Sequence, residues 1–215
     1  MTVPVQRKQR TRDRILANAR RLFRRHGYNG VGIDAIMGAA NLTRGGFYAH
    51  FQSKEDLFVE VLRDHKIYDG LRARDPAVEP DARRWAGLLF DIYLSRWHRD
   101  DAENGCSLVA LSNSVLHGGP EARTVYTDAV KGLFRELADA IDAPPEEARR
   151  RAIAAMTMAT GAVLVARAIN DEKLVTEMLV ATREQIDRVC WPELASPSDS
   201  VEPVSDPAPV EKETV

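Results

Sequence analysis

The stretch NLTRGGFYAHF, Asn41 to Phe51, sets two adjacent glycines, Gly45 and Gly46, directly ahead of the aromatic pair Phe47 and Tyr48. A glycine costs a helix about 0.8–1 kcal/mol relative to alanine. Two together, inside helical surroundings, point to a place where bulk must be absent. Upstream, Ile33, Ile36, Met37 and Ala40 form a short apolar stripe at helical spacing. Asn41 then tolerates the left-handed conformation that closes a helix. Thr43 is a suitable N-cap for a helix that begins at Arg44.

Residues 33–51 therefore read as short helix, tight turn, short helix, which is helix-turn-helix spacing. In that motif the second helix enters the DNA major groove by its N-terminal end. Gly45 and Gly46 let the backbone approach bases or phosphates. Arg44 suits a bidentate pair with guanine O6 and N7, which discriminates by about 1–3 kcal/mol. Phe47 and Phe51, four residues apart, face a small core with Ile15, Leu22, Phe23, Ile36 and Leu42. Tyr48 and His50 point to the rim, where phosphates lie.

Charge agrees with that reading. The chain is −2 overall, yet residues 1–54 hold eleven Lys/Arg against two Asp/Glu, and the remaining residues nineteen against thirty. A +9 beginning joined to a −11 remainder suggests that one end meets a polyanion. Lys8, Arg10, Arg12 and Arg14 make residues 1–11 and the start of the first helix a basic arm. It could track the DNA backbone or stay solvated.

Catalysis finds no positive support. Two cysteines, Cys106 and Cys190, form no metal pair, and the five histidines fall in no metal-ligating spacing. No phosphate-cradling glycine loop or nucleophile elbow is present, so no catalytic residue, metal ligand or cofactor is expected. The apolar runs are shorter than the roughly 18 residues a membrane span needs. The N-terminus has no signal-peptide core, which predicts a cytoplasmic protein without membrane contact.

The pattern along the chain predicts an all-α fold of about nine helices. The first carries Ile15, Leu16, Ala19, Leu22 and Phe23 on one stripe and stops at Gly27. A fourth starts at Lys54, capped by Ser53, with Glu55 and Asp56 in its first turn, and runs to about Tyr68. Longer helices follow at about 81–98, 106–116, 121–141, 146–169 and 174–189. From Trp191 the chain is rich in Pro, Ser and acids, with too little apolar surface to offset ordering entropy. The expected organisation is a helix-turn-helix domain over 1–53, a helical domain over 54–190 and a disordered acidic tail over 191–215.

Residues 12–58, RDRILANARRLFRRHGYNGVGIDAIMGAANLTRGGFYAHFQSKEDLF, closely resemble the DNA-binding segment of TetR-type transcriptional regulators. The likeness rests on LF…HGY, on IDAIMGAANLT and on GGFYAHFQSKEDLF, and covers about a quarter of the chain. It implies a homodimeric repressor on a pseudo-palindromic double-stranded operator, released by a small-molecule effector. It also implies that Arg44, Gly45, Gly46 and Ala49 face bases, and that Tyr48, His50 and Lys54 contact phosphate. Two positions depart from the family pattern. Gly32 replaces a capping Ser or Thr. Asp34 stands where a basic or polar residue often reaches a base; it would accept from cytosine N4 but repel phosphates.

The resemblance further implies a four-helix interface made from the last two helices of each subunit. Ala155, Ala159, Ala162 and Ala166 give a small-residue face, and Met156, Val163, Leu174, Met178, Leu179 and Ile186 supply apolar burial. An effector pocket is expected among the middle helices, with Trp85, Phe90, Tyr93, Trp97, Asn113, His117 and Tyr126 as candidate lining residues. Cys106, at a helix start, suggests a redox- or electrophile-sensing variant. Asp100, Asp101 and Glu103 oppose its thiolate, and a buried structural cysteine is the competing reading. Two further alternatives are an all-α enzyme and an interaction module with secondary DNA binding.

Overall fold

In a computed structural model of the chain the described residues are 3–63, 81–101 and 107–194. They form helices and no strands. The elements are α1 (Val3–His26), α2 (Ile33–Ala39), a 3-10 helix (Arg44–Ala49), α3 (Lys54–Arg63), α4 (Ala82–Tyr93) and α5 (Arg96–Asp100). α6 (Ser107–Val115), α7 (Gly119–Asp139), α8 (Pro145–Ala166), α9 (Glu172–Cys190) and a 3-10 turn (Pro192–Leu194) follow. Among the described residues no helix is long and apolar enough to cross a membrane.

Local chemistry sets the boundaries. α1 begins at Val3, so the expected basic arm is helical over its described part, and it ends at Gly27 with φ +73°. Asn41 takes φ +53° after α2, the left-handed closure its side chain tolerates. Ser53 caps α3: the Asp56 N–H donates to Ser53 Oγ (3.0 Å), and the Gln52 N–H donates to Asp56 Oδ2 (2.9 Å). The arrangement resembles a capping box, with the return bond taken from the residue before the cap. Thr43 precedes the 3-10 helix in extended conformation but makes no side-chain cap. The single helix expected over 81–98 is two, because Ser95 Oγ donates to the Ile92 carbonyl (2.7 Å) and accepts from the His98 N–H (3.2 Å). That hydroxyl ends α4 and starts α5.

Two apolar clusters form the interior. The first gathers Ile15, Ala19 and Phe23 of α1, Ile36 and Met37 of α2, and Phe47 and Phe51. It continues through Leu57, Phe58, Val59, Val61 and Leu62 of α3 to Leu111 and Val115 of α6 and Ala122 of α7. The second joins α4, α8 and α9 to the far end of α7, with Trp85, Leu89, Phe90, Tyr93, Leu133, Leu137, Met156, Val163 and Ile186. α7 therefore serves both. Its first turns pack on the N-terminal cluster and its last turns on the other.

The domain limits read from sequence meet this arrangement at two places. The step at 53/54 falls inside one continuous cluster, because every buried side chain of α3 belongs to the N-terminal core. Trp191, read as the start of a disordered tail, is 3% exposed, stacks edgewise on Phe90, and donates from Nε1 to the Ala140 carbonyl (3.2 Å). One large apolar ring recovers enough burial to hold the chain there. The tail from 195, Cys106 and the run of α3 toward Tyr68 lie outside the described residues.

A candidate DNA-binding surface on the short helices

The geometry of the surface starts from what is buried beneath it. Phe47 and Phe51 are 0% and 2% exposed and pack on each other 5.7 Å apart, as their spacing predicted. Their burial turns the opposite side of the 3-10 helix outward. Arg44, Gly45, Tyr48 and Ala49 are exposed there, with Tyr48 at 60%. The segment expected as a third α-helix is a 3-10 helix of six residues. Two glycines and an uncapped start favour the shorter, tighter form.

Gly45 carries the chief local information. Its backbone needs no left-handed conformation, and a Cβ added there meets no atom of the chain within 4 Å. Nothing inside the protein requires glycine at this position. A Cβ at Gly46 would touch only Met37 Cε, at an ordinary 3.6 Å.

Charged neighbours on the surface are arranged differently from their order in sequence. Arg44 Nη1 donates to Asp34 Oδ2 at 2.5 Å, with 61% and 66% of the two side chains exposed. The two positions expected to face bases separately thus form one pair. His50 is half-buried and not at the open rim, and its Nδ1 is enclosed without a partner among the described residues. Burial, then the charges of Lys8 and Arg12, hold its imidazole below the usual histidine range. Arg12 lies over the Phe51 ring and reaches Glu60 at 3.2 Å, so part of the basic arm is used inside the fold.

Lys54, expected on phosphate, turns inward. Its ammonium donates to the carbonyls of Tyr28 (3.0 Å) and Val31 (3.1 Å) and sits 4.1 Å from the Tyr28 ring centre. Burial lowers its pKa. The two carbonyls and the ring face offset part of that desolvation. As placed, Lys54 straps the α1–α2 link to α3.

The candidate effector residues divide. Trp85, Phe90 and Tyr93 lie in the second cluster, with Tyr93 Oη 3.4 Å from Thr160 Oγ1 and its ring tilted on His98 at 4.5 Å. Trp97 is half-buried nearby in α5. Tyr126 packs on the N-terminal cluster instead, and Asn113 and His117 are exposed. These seven therefore do not converge on one cavity. A groove on α5 and α9 is lined by Arg96, Glu172, Lys173, Thr176, Glu177 and Val180, none of them an expected candidate.

The interface residues read from sequence are corrected by burial. Ala155, Met156, Ala159, Ala162, Val163, Ala166, Leu179 and Ile186 are 8% exposed or less within one chain, and Met178 is half-buried. The small-residue face lets α8 approach its own neighbours α7 and α9. Periodicity shows that a helix has a buried face but not which molecule buries it. Leu174 of α9, expected at the interface, is exposed, as are Leu164 and Val165 of α8 and Val180 of α9, which lie outside that set.

Sequence reasoning missed the contacts that tie the DNA-binding end to α6 and to the start of α7. The Tyr28 N–H donates to Ser114 Oγ (2.9 Å), and Ser114 is 6% exposed in α6. Arg63 Nη2 donates to Glu121 at 2.6 Å. The Phe58 ring lies against Gly118, where a Cβ would come within 2.6 Å, and the Glu55 carboxylate fills the place a Cβ would take at Gly119, whose φ is +83°. Partners this far apart in the chain leave no local signal beyond the two glycines themselves.

A short helix, a turn closed by left-handed Asn41 and an exposed glycine-led helix over an aromatic core define a helix-turn-helix DNA-binding protein. A family model described as bacterial regulatory proteins, tetR family, matches residues 15–61. The chain is 25% identical over 134 residues to the HTH-type transcriptional repressor NemR of Escherichia coli strain K12, covering 61% of this chain and 67% of that one. It is 27% identical over 146 residues to the HTH-type transcriptional repressor Rv1474c of Mycobacterium tuberculosis, covering 60% and 77%. The crystal structure of a TetR transcriptional regulator from Chloroflexus aurantiacus shares the fold, with TM-score 0.70 and 22% identity over 85% of this chain and 97% of that one. Residues 15–61 thus carry the DNA-binding pattern of the tetR family of bacterial regulatory proteins.

Proposed function

We propose that the protein is an effector-released repressor that acts as a homodimer on a pseudo-palindromic operator. One observation carries the DNA-reading part: a glycine at 45 that the chain itself does not need, exposed beside Arg44 at the leading end of the second short helix. A surface shaped for the close approach of another molecule explains it, and the +9 charge of residues 1–54 makes that molecule a polyanion.

Operator symmetry mirrors subunit symmetry, so two recognition segments one DNA turn apart, roughly 34–36 Å, require two chains. Leu164, Val165, Leu174 and Val180, between 42% and 58% exposed on the last two helices, supply apolar surface for a second copy. The effector acts by preferring a different spacing of the two DNA-binding ends and shifts occupancy only by that differential affinity. α7, which packs on both clusters, is the element through which such a preference would travel.

The test uses fluorescence anisotropy with the purified full chain. A duplex from its own upstream region should bind at least about 10³-fold more tightly than a random duplex at physiological salt. Equal affinity for both would remove the proposal. Deleting the gene should raise transcription from that region; a fall would make the protein an activator instead.

A further inference from the structure

Asp34 places a negative charge on the surface where the proposed DNA contact occurs. Only one other acid, Asp13, precedes residue 55, and its carboxylate accepts from Gln9 (2.8 Å). A carboxylate facing phosphates within a Debye length opposes binding to every sequence. Its pairing with Arg44 explains little about the fold, because exposed ion pairs contribute little to stability. The pair does have one definite geometric effect.

Arg44 precedes two glycines, so no adjacent side chain on its C-terminal side steadies it. Asp34, ten residues earlier on α2, holds Nη1. A guanidinium has five N–H donors in a fixed planar fork. With Nη1 engaged, the Nη2 and Nε donors are left to make a parallel pair of bonds, and guanine O6 and N7 accept in that pattern. Fixing the fork before docking also removes part of the entropy loss of ordering a long side chain.

We propose that Asp34 is a positioning residue: it orients the Arg44 guanidinium to read one guanine in each half-site, and it does not itself contact a base. The inference rests on the DNA-reading function proposed above and adds the base that is read and the residue that enforces it. It has an unusual signature. Removing the carboxylate should tighten binding to arbitrary DNA, by relieving repulsion, and weaken discrimination for guanine. A purely repulsive Asp34 would produce the first change without the second.

The experiment selects from a randomised duplex library with the full-length wild-type protein and with the D34N, D34A and R44A variants, followed by sequencing of the bound fraction. Anisotropy titrations then compare the best wild-type duplex, its guanine-substituted version and a random duplex at two salt concentrations. The wild type should enrich one guanine per half-site. D34N and D34A should lose most of that enrichment, with preference for the guanine duplex falling about tenfold while random-duplex affinity rises. R44A should lose the same guanine, and the D34N/R44A double variant should lose no more than R44A alone, as expected for groups that act as one unit. Thermal melts verify that all variants fold. An unchanged guanine preference in D34N and D34A overturns the positioning role. A wild-type protein that selects no sequence overturns the DNA-reading function itself.

Discussion

Gly45 and Lys54 show how differently two conspicuous residues are used. At Gly45 the fold has room for a side chain and makes no demand on the backbone. Gly45→Ala should therefore leave the unfolding free energy unchanged or raise it by up to about 1 kcal/mol, while weakening binding to the selected operator. Chemical denaturation and anisotropy on the same preparation check both halves. A variant that keeps full affinity would show that clearance at 45 is not needed. Lys54 is the reverse case, with its head group turned into the protein onto two carbonyls and a ring. Its position at the start of a helix beside the recognition segment invited a phosphate role. Only the folded α1–α2 link, which supplies Tyr28 and Val31, shows where the ammonium goes.

At the scale of elements, α6 and α7 are fastened to the DNA-binding end by a few polar contacts and two glycine-dependent packings. Ser114 is the most exacting of these, because it is buried and its hydroxyl accepts from the Tyr28 N–H in the turn after α1. Ser114→Ala should leave that N–H without its acceptor and cost about 1–3 kcal/mol in denaturant unfolding. Hydrogen exchange should rise first at Tyr28; unchanged protection there would mean that the bond contributes little. Helix existence was legible in apolar spacing, and the ends of α1 and α2 were legible in Gly27 and Asn41. The break between α4 and α5 was not, because Leu88, Leu89, Ile92 and Tyr93 continue the stripe up to it. A serine hydroxyl bonded to the Ile92 carbonyl and the His98 N–H decides it.

For the whole molecule, pH and subunit number offer two checks. His98 is 4% exposed, its Nδ1 2.8 Å from the Tyr93 carbonyl, which makes Nδ1–H the donor. Burial, with Arg167 and Arg24 acting in the same direction, pushes its pKa down to about 4, against the Tyr93 carbonyl and Asp101. The unfolded chain, with an ordinary value near 6.5, then binds more protons than the fold at mildly acid pH. The stabilisation is fully present above about pH 6.5 and is lost as pH falls toward 4, up to about 3 kcal/mol. Unfolding curves of the wild type and His98→Gln between pH 7.5 and 4.5 measure this; equal slopes would exclude His98 as the source. For the subunit number, Leu164→Glu combined with Val180→Glu should convert a dimer to monomers in sedimentation while leaving helicity intact. A dimer that survives both substitutions uses another face.

The amino-acid sequence by itself determined an all-α chain, a helix-turn-helix near its start and the aromatic core under that motif. These depend on spacing along one helix and on turn residues whose backbone preferences act locally. Tertiary structure alone decided that Asp34 and Arg44 are partners, that Lys54 points inward and that Trp191 is core. It also decided that the alanine face of α8 serves its own chain. Each of these depends on which distant surface a side chain meets, and linear periodicity holds no information about the partner.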